Sequence, residues 1–188
     1  ALDSAQVAAL STLQIAALSS TGVAGLGTDD LANFSSTEFA ALNTRALQAL
    51  STVQIATLLS TQLAALSSGQ VAGLTTTQIA ALTSAQLDGL TTAQVAALTS
   101  AQIVALGSVN ITTLSTAQIA ALSSRTVGAL TSAQLDAMTS DQIEALTSTQ
   151  IAALSSSDLA ALSSGDLSTF STSEFAAISP AAVPGISS

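Results

Sequence analysis

The sequence predicts an all-α fold: a repeat solenoid, or superhelix, of very short capped helices with one eight-residue unit per helix. Three observations carry that expectation. An apolar residue recurs every eight positions from Leu2 to Ile178, a second follows each of these five positions later from Val7 to Val183, and a polar pair with the spacing of a helix cap stands between them. The unit is L-[ST]-[ST]-x-Q-[ILV]-A-A, its positions numbered 1 to 8 from the Leu. It repeats without insertion, so residues 1–188 form a single array of about 23 units, the last of which, 178–185, is degenerate and carries Pro180 and Pro184.

Position 1 is Leu except at Phe34, Met138, Phe170 and Ile178. Position 2 is Ser or Thr in most units, with Asp3, Gly27, Asn43 and Gly107 as helix-start variants and Leu59 out of character. A Ser or Thr there can accept from the backbone N–H three residues on. The position-5 Gln can reach back to the N–H of the cap, which is the reciprocal arrangement of a capping box. Ser11 with Gln14, Thr75 with Gln78, Thr91 with Gln94, Thr99 with Gln102 and Ser115 with Gln118 are predicted helix-capping pairs of this kind. Asp30, Glu38, Asp158, Asp166 and Glu174 put an acid in the Gln position. The position-1 Leu and the position-6 Ile, Val or Leu then form a hydrophobic staple across the cap. Leu82, Leu90, Val95, Leu98, Ile103 and Leu106 are accordingly predicted core-packing residues. Position 8 is nearly always Ala or Gly, small enough for backbones to approach closely.

One continuous helix does not fit this pattern. Eight residues at about 100° each turn the Leu row by about 80° per repeat, so it would wind around the helix without making a stripe. A β-solenoid fits less well than short helices, because Gln-x-Ala-Ala is poor strand material and the apolar spacing alternates between five and three. A helix of six or seven residues is unstable alone, since nucleation costs more than so few hydrogen bonds return. Neighbouring units must share apolar faces, as in a solenoid. No sixteen-residue alternation overlies the eight, so every unit is expected to see the same surroundings under one repeated screw operation. Leu and Ile or Val are expected inside, with the hydroxyls and Gln outside. Pro180 falls at the first helical position, where proline is tolerated, whereas Pro184 should stop the helix. Leu2 enters in register with no polar cap before it, which predicts further repeats upstream or end-to-end association.

Composition narrows the chemistry. The chain has no Cys, His, Trp, Tyr or Lys, and Arg45 and Arg125 are its only basic side chains. Thiolate and imidazole metal sites, cysteine nucleophiles, Schiff bases and histidine general bases are therefore excluded, no Ser has a base beside it, and an enzyme is not expected. No catalytic, cofactor-binding or metal-binding residues are predicted. A formal net charge of -9 argues against nucleic acid as a partner. No run approaches the roughly 20 apolar residues of a spanning helix, so no membrane insertion is expected. The chain begins at Ala1 without Met or a signal peptide, which suggests processing or excision from something longer.

The position-3 hydroxyls are the one regularity that capping does not explain. Ser84, Thr92, Ser100 and Thr116 belong to this row, a candidate binding surface for ice, a polysaccharide or a second copy of the chain. Irregular position-4 residues, including Asp29, Arg45, Arg125 and Asp141, interrupt any flat uncharged face. Asp29-Asp30 lacks the spacing of a calcium loop, and Asp30 is better read as the box residue of its unit.

The unit L-T-x-x-Q-[IV]-A-A resembles tandem octapeptide stretches of large bacterial secreted and cell-surface proteins, adhesin-like ones among them, over nearly the whole chain. The resemblance implies an extracellular or cell-surface spacer or fibre-forming segment and supplies no catalytic residues. LTTAQVAAL at 90–98 also resembles the helix start of transcription-activator-like effector repeats, but the longer repeat, base-reading dipeptide and basic surface of that family are missing. The resulting expectation is a non-enzymatic structural array, a stalk or fibre subunit, with hydroxyl-row binding of ice or glycan as the alternative.

Overall fold

A computed structural model describes residues 4–187; the expectations placed on Leu2 and Asp3 lie outside the described residues. Among the described residues there are 22 α-helices of four to six residues, one per octad from Ser4–Ala8 to Thr172–Ala177, then a 3-10 helix Val183–Ser187, and no strand. The fold is an all-α solenoid of short capped helices.

Each helix begins and ends for local reasons. Thr75, at φ -72° and ψ 157°, is extended; its hydroxyl accepts from the Gln78 N–H at 3.2 Å while its own N–H donates to Gln78 Oε1 at 2.9 Å. The helix Thr76–Ala80 then runs little more than one turn. The Ala81 N–H still donates to Thr77 and Gln78, and the Leu82 N–H to Ile79 at 3.2 Å, before the next extended cap redirects the chain. Position 6 enters the interior at the fourth helical residue and position 1 lies just outside each cap, so both series are buried through most of the array: Ile79, Leu87 and Ile103 are fully enclosed and Leu82, Leu90 and Leu98 nearly so, whereas Leu10, Leu18 and Leu167 are half-buried and Phe175 and Val183 exposed.

The chain divides into two compact units, Ala1–Gln94 and Val95–Ser188. In the first, each helix packs on the one three octads later: Ser4–Ala8 on Thr28–Asn33, Ser20–Ala24 on Thr44–Gln48, and so on to Ser60–Ala64 on Ser84–Asp88. The second repeats the rule from Ser100–Ala105 on Ser124–Val127 to Ser148–Ile151 on Thr172–Ala177, and ends with Ser156–Ala160 against Val183–Ser187. Hydrogen bonds between turns join residues 25 and 28 apart, so within each unit a turn takes slightly more than three octads.

Two places depart from the expectations. Gly107 is not an extended cap: the helix Gly107–Ile111 starts on the glycine itself, which has φ 73°, and Leu106 before it is helical with no side-chain cap. Only glycine takes that left-handed conformation without steric cost. The last octad forms no α-helix. Residues around Pro180 make a turn and Pro184 lies within the 3-10 helix, because proline supplies no N–H for an α-helical bond. Gly185 there lies so close to the Ser156 backbone that a β-carbon would collide with the Ser156 carbonyl.

Candidate functional site: a glutamine ladder between turns

The position-5 Gln side chain does two things, and only one is local. Its Oε1 accepts from the N–H of its own cap. Its Nε2 donates to two carbonyls of the preceding turn: Gln78 to Leu47 and Leu50 at 2.8 Å each, Gln86 to Ile55 at 2.9 Å and Leu58 at 2.7 Å, and Gln94 to Leu63 at 2.8 Å and Leu66 at 2.7 Å. The second unit repeats this at Gln142, which reaches Ile111 at 3.0 Å and Leu114 at 2.6 Å, and at Gln150, which reaches Ile119 and Leu122. The acceptors sit at the C-terminal end of an earlier helix, where carbonyls lack an α-helical partner; the position-6 carbonyl already accepts from the N–H three residues on, as Ile55 does from Leu58 at 3.2 Å, and takes the Gln as a second donor. One amide thus serves an N–H at the start of its own helix and two C=O groups at the end of a helix in the turn before.

This corrects the expectation that Gln faces outward. Gln78, Gln86, Gln94, Gln134 and Gln150 are 1–2% exposed. A buried amide is tolerable when its acceptor and its donor are both engaged, which is the case here.

The other predicted residues fall as follows. Ser11 and Gln14 form a box with both side chains exposed; Thr75–Gln78, Thr91–Gln94, Thr99–Gln102 and Ser115–Gln118 form boxes with the Gln buried. Leu82, Leu90, Val95, Leu98, Ile103 and Leu106 are buried. In the hydroxyl row, Ser84, Thr92 and Thr116 are exposed, whereas Ser100 is half-buried and donates to the Arg125 carbonyl at 3.3 Å. Ser60 donates likewise to Ala85 at 2.9 Å and Ser68 to Ala93 at 3.1 Å. Part of the row is therefore spent on holding turns together.

Units without Gln show what the ladder requires. Ala46 replaces it in one unit, and the cap residue Asn43 takes over the donor role: its Nδ2 donates to Ala16 at 3.2 Å and Leu18 at 3.4 Å while its Oδ1 accepts from the Ala46 N–H. Thr126 replaces it in another and donates from Oγ1 to Leu98 at 3.3 Å. These two residues were not foreseen. The signal was the missing Gln, but the donor role it leaves vacant is visible only once the 28-residue partner is known.

The acids complete the local box and donate nothing to the turn before, although Asp166 also accepts from the Ser140 hydroxyl 26 residues earlier. Glu38 accepts from the Ser35 N–H and hydroxyl, and those bonds, the hydroxyl's first, hold its carboxyl below the usual range. For Asp166 burial pushes upward, but hydrogen bonds from the Ser163 hydroxyl, the Ser140 hydroxyl and the Ser163 N–H together bring its carboxyl below the usual range. Asp158 is buried and accepts from the Ser155 N–H and hydroxyl. Asp30 accepts from the Gly27 N–H with Oδ2, and its Oδ1 is buried with no hydrogen-bond partner among the described residues.

Residues 1–36, 23–60, 78–108 and 127–156, well over half of the chain, match the ALTTAQ repeat. The chain belongs to the ALTTAQ repeat family. Ala129-Leu130-Thr131-Ser132-Ala133-Gln134 differs from that six-residue string only by Ser in place of the second Thr, and its terminal Gln is a ladder residue. Among ALTTAQ repeats the motif therefore spans, in this chain, the small position 8, the buried Leu, the cap and the inter-turn donor. No curated protein matches the chain. Among the described residues no group of three or more His, Cys, Asp or Glu side chains is placed to hold a metal, and no helix is long and apolar enough to cross a membrane.

Proposed function

We propose that this ALTTAQ repeat chain is a non-enzymatic structural array, a stalk or fibre-forming segment of an extracellular or surface-displayed bacterial assembly, adhesin-like in its architecture. The observation that carries the reading is the ladder. Each ladder Gln makes the same kind of inter-turn hydrogen bond, so length is added by adding octads, with no change of design. A surface of hydroxyls and few charges suits material that stays folded outside a cell, and without Cys, His, Lys or Tyr the chain carries no thiol, imidazole, amine or phenol for catalysis.

Negative-stain electron microscopy of the purified chain at neutral pH tests the proposal. Filaments or elongated particles of uniform width are expected; compact globular particles would overturn it. Ice or polysaccharide binding by the hydroxyl row is the alternative. The exposed Ser84, Thr92 and Thr116 favour it, and the use of Ser60, Ser68 and Ser100 between turns weighs against it. Thermal hysteresis at high protein concentration would support ice binding, and its absence would remove it.

A further inference from the structure

Where the ladder lacks its Gln in the first unit, the surface between the helices Ser20–Ala24 and Thr44–Gln48 opens into a notch of about 490 Å³, lined by Leu18, Ser19, Ser20, Thr21, Asn43 and Arg45. That volume lies within the roughly 300–1,000 Å³ of small-molecule sites. The polar groups around it divide into those already used and those left over. Asn43 is committed, with its amide donating to Ala16 and Leu18 and its oxygen accepting from the Ala46 N–H. Ser20 donates to the Arg45 carbonyl at 3.2 Å, and the Ser19 oxygen accepts from the Gly22 N–H at 3.1 Å. What is left over is the Ser19 hydroxyl hydrogen, the Thr21 hydroxyl and the whole Arg45 guanidinium, beside the half-buried side chain of Leu18.

We propose that this notch binds an acidic sugar, a uronate residue of an anionic polysaccharide. The guanidinium presents a planar fork that pairs with a carboxylate through two parallel hydrogen bonds. The Ser19 and Thr21 hydroxyls stand beside it for ring hydroxyls, and Leu18 offers an apolar floor for the C–H face of the ring. A free Arg in a chain of net charge -9 with only one other basic side chain is an unusual local feature. It makes Arg45 the point at which an anion can overcome the general repulsion.

The test is an NMR titration of the full chain with trigalacturonate, using maltotriose as the neutral control. Shifts at the Arg45 Nε–H and at Thr21, not at Arg125, are expected, with no response to maltotriose. Arg45→Gln should lower affinity at least tenfold and Arg45→Lys by an intermediate factor, because it keeps the charge and loses the fork. Arg125→Gln removes the same charge elsewhere and should leave affinity unchanged. Shifts spread equally over both arginines, equal loss in both Gln variants, or displacement by inorganic sulfate at matched concentration would overturn the proposal, as would no binding by the parent chain. The wild-type shift map decides the matter even if a variant folds poorly.

Discussion

The Gln-boxed and acid-boxed helices of the second unit share one cap and differ in one hydrogen-bond donor. Gln142 and Glu174 each accept from the N–H of their own cap, at 3.0 and 2.7 Å. Only Gln142 also donates, to Ile111 and Leu114. The position-6 side chains beside them differ as well: Ile143 is fully buried, whereas Phe175 is 42% exposed and rests edge-on against Phe170, with ring centroids 5.8 Å apart. The difference teaches that helix initiation and turn-to-turn attachment are separate jobs. A carboxylate oxygen does the first as an amide oxygen does; bonding to the carbonyls of the preceding turn needs an N–H or O–H donor, which a carboxylate lacks.

The most damaging way to break that distinction is Gln142→Glu. It keeps shape and capping acceptor while placing a carboxylate where 3% exposure allows little water, facing two carbonyls. A loss of about 3–5 kcal/mol is expected at pH 7, the cost of an uncompensated buried charge. Burial raises the folded pKa of such a group, so the penalty is full above that pKa and fades as pH falls toward the unfolded Glu value of about 4.3. Urea denaturation at pH 7 and pH 4 measures both, and equal stability to the parent at pH 7 would show that the donor does not matter.

The reverse exchange, Glu174→Gln, should sharpen the comparison with a smaller effect. It gives the last α-helix a donor toward the carbonyls 28 and 31 residues before it, those of Leu146 and Ile143. A gain of about 0.5–1.5 kcal/mol is expected from the added hydrogen bonding, read as a rise in the melting temperature.

The smallest effect concerns acid. The folded pKa of Asp166 is depressed, so the stability it contributes is present above the unfolded Asp value of about 3.9 and is lost as pH falls through the folded value. Asp166→Asn should flatten that part of the stability-against-pH curve below pH 4 and lower stability slightly at neutral pH, where the carboxylate's contribution is fully present. A curve identical to the parent's would mean that its bonds to Ser163 and Ser140 add nothing.

Much of the fold was legible because its rules are short-range. The cap at Thr75, the box at Gln78 and the burial of Ile79 follow from residues within five positions of one another. The inter-turn role of Gln78 was not legible, because Leu47 and Leu50 are tied to it by the pitch of the superhelix, and the octad alone does not set that pitch. Asn43 and Thr126 escaped notice for the same reason. Gly107 read as a cap variant because its local context is that of a cap, while its positive φ belongs to a junction where the preceding helix runs on to Ala105.

The ladder also has a kinetic meaning. Each rung closes a loop of 28 to 31 residues however long the array becomes. Fewer than four octads cannot close a rung, so shorter fragments contain no folding nucleus. Beyond that length every added octad meets a turn already formed, and the mean separation of contacting residues stays fixed while the chain grows. Folding by zippering from any nucleus, at a rate per octad that does not decline with length, is the behaviour such a topology produces.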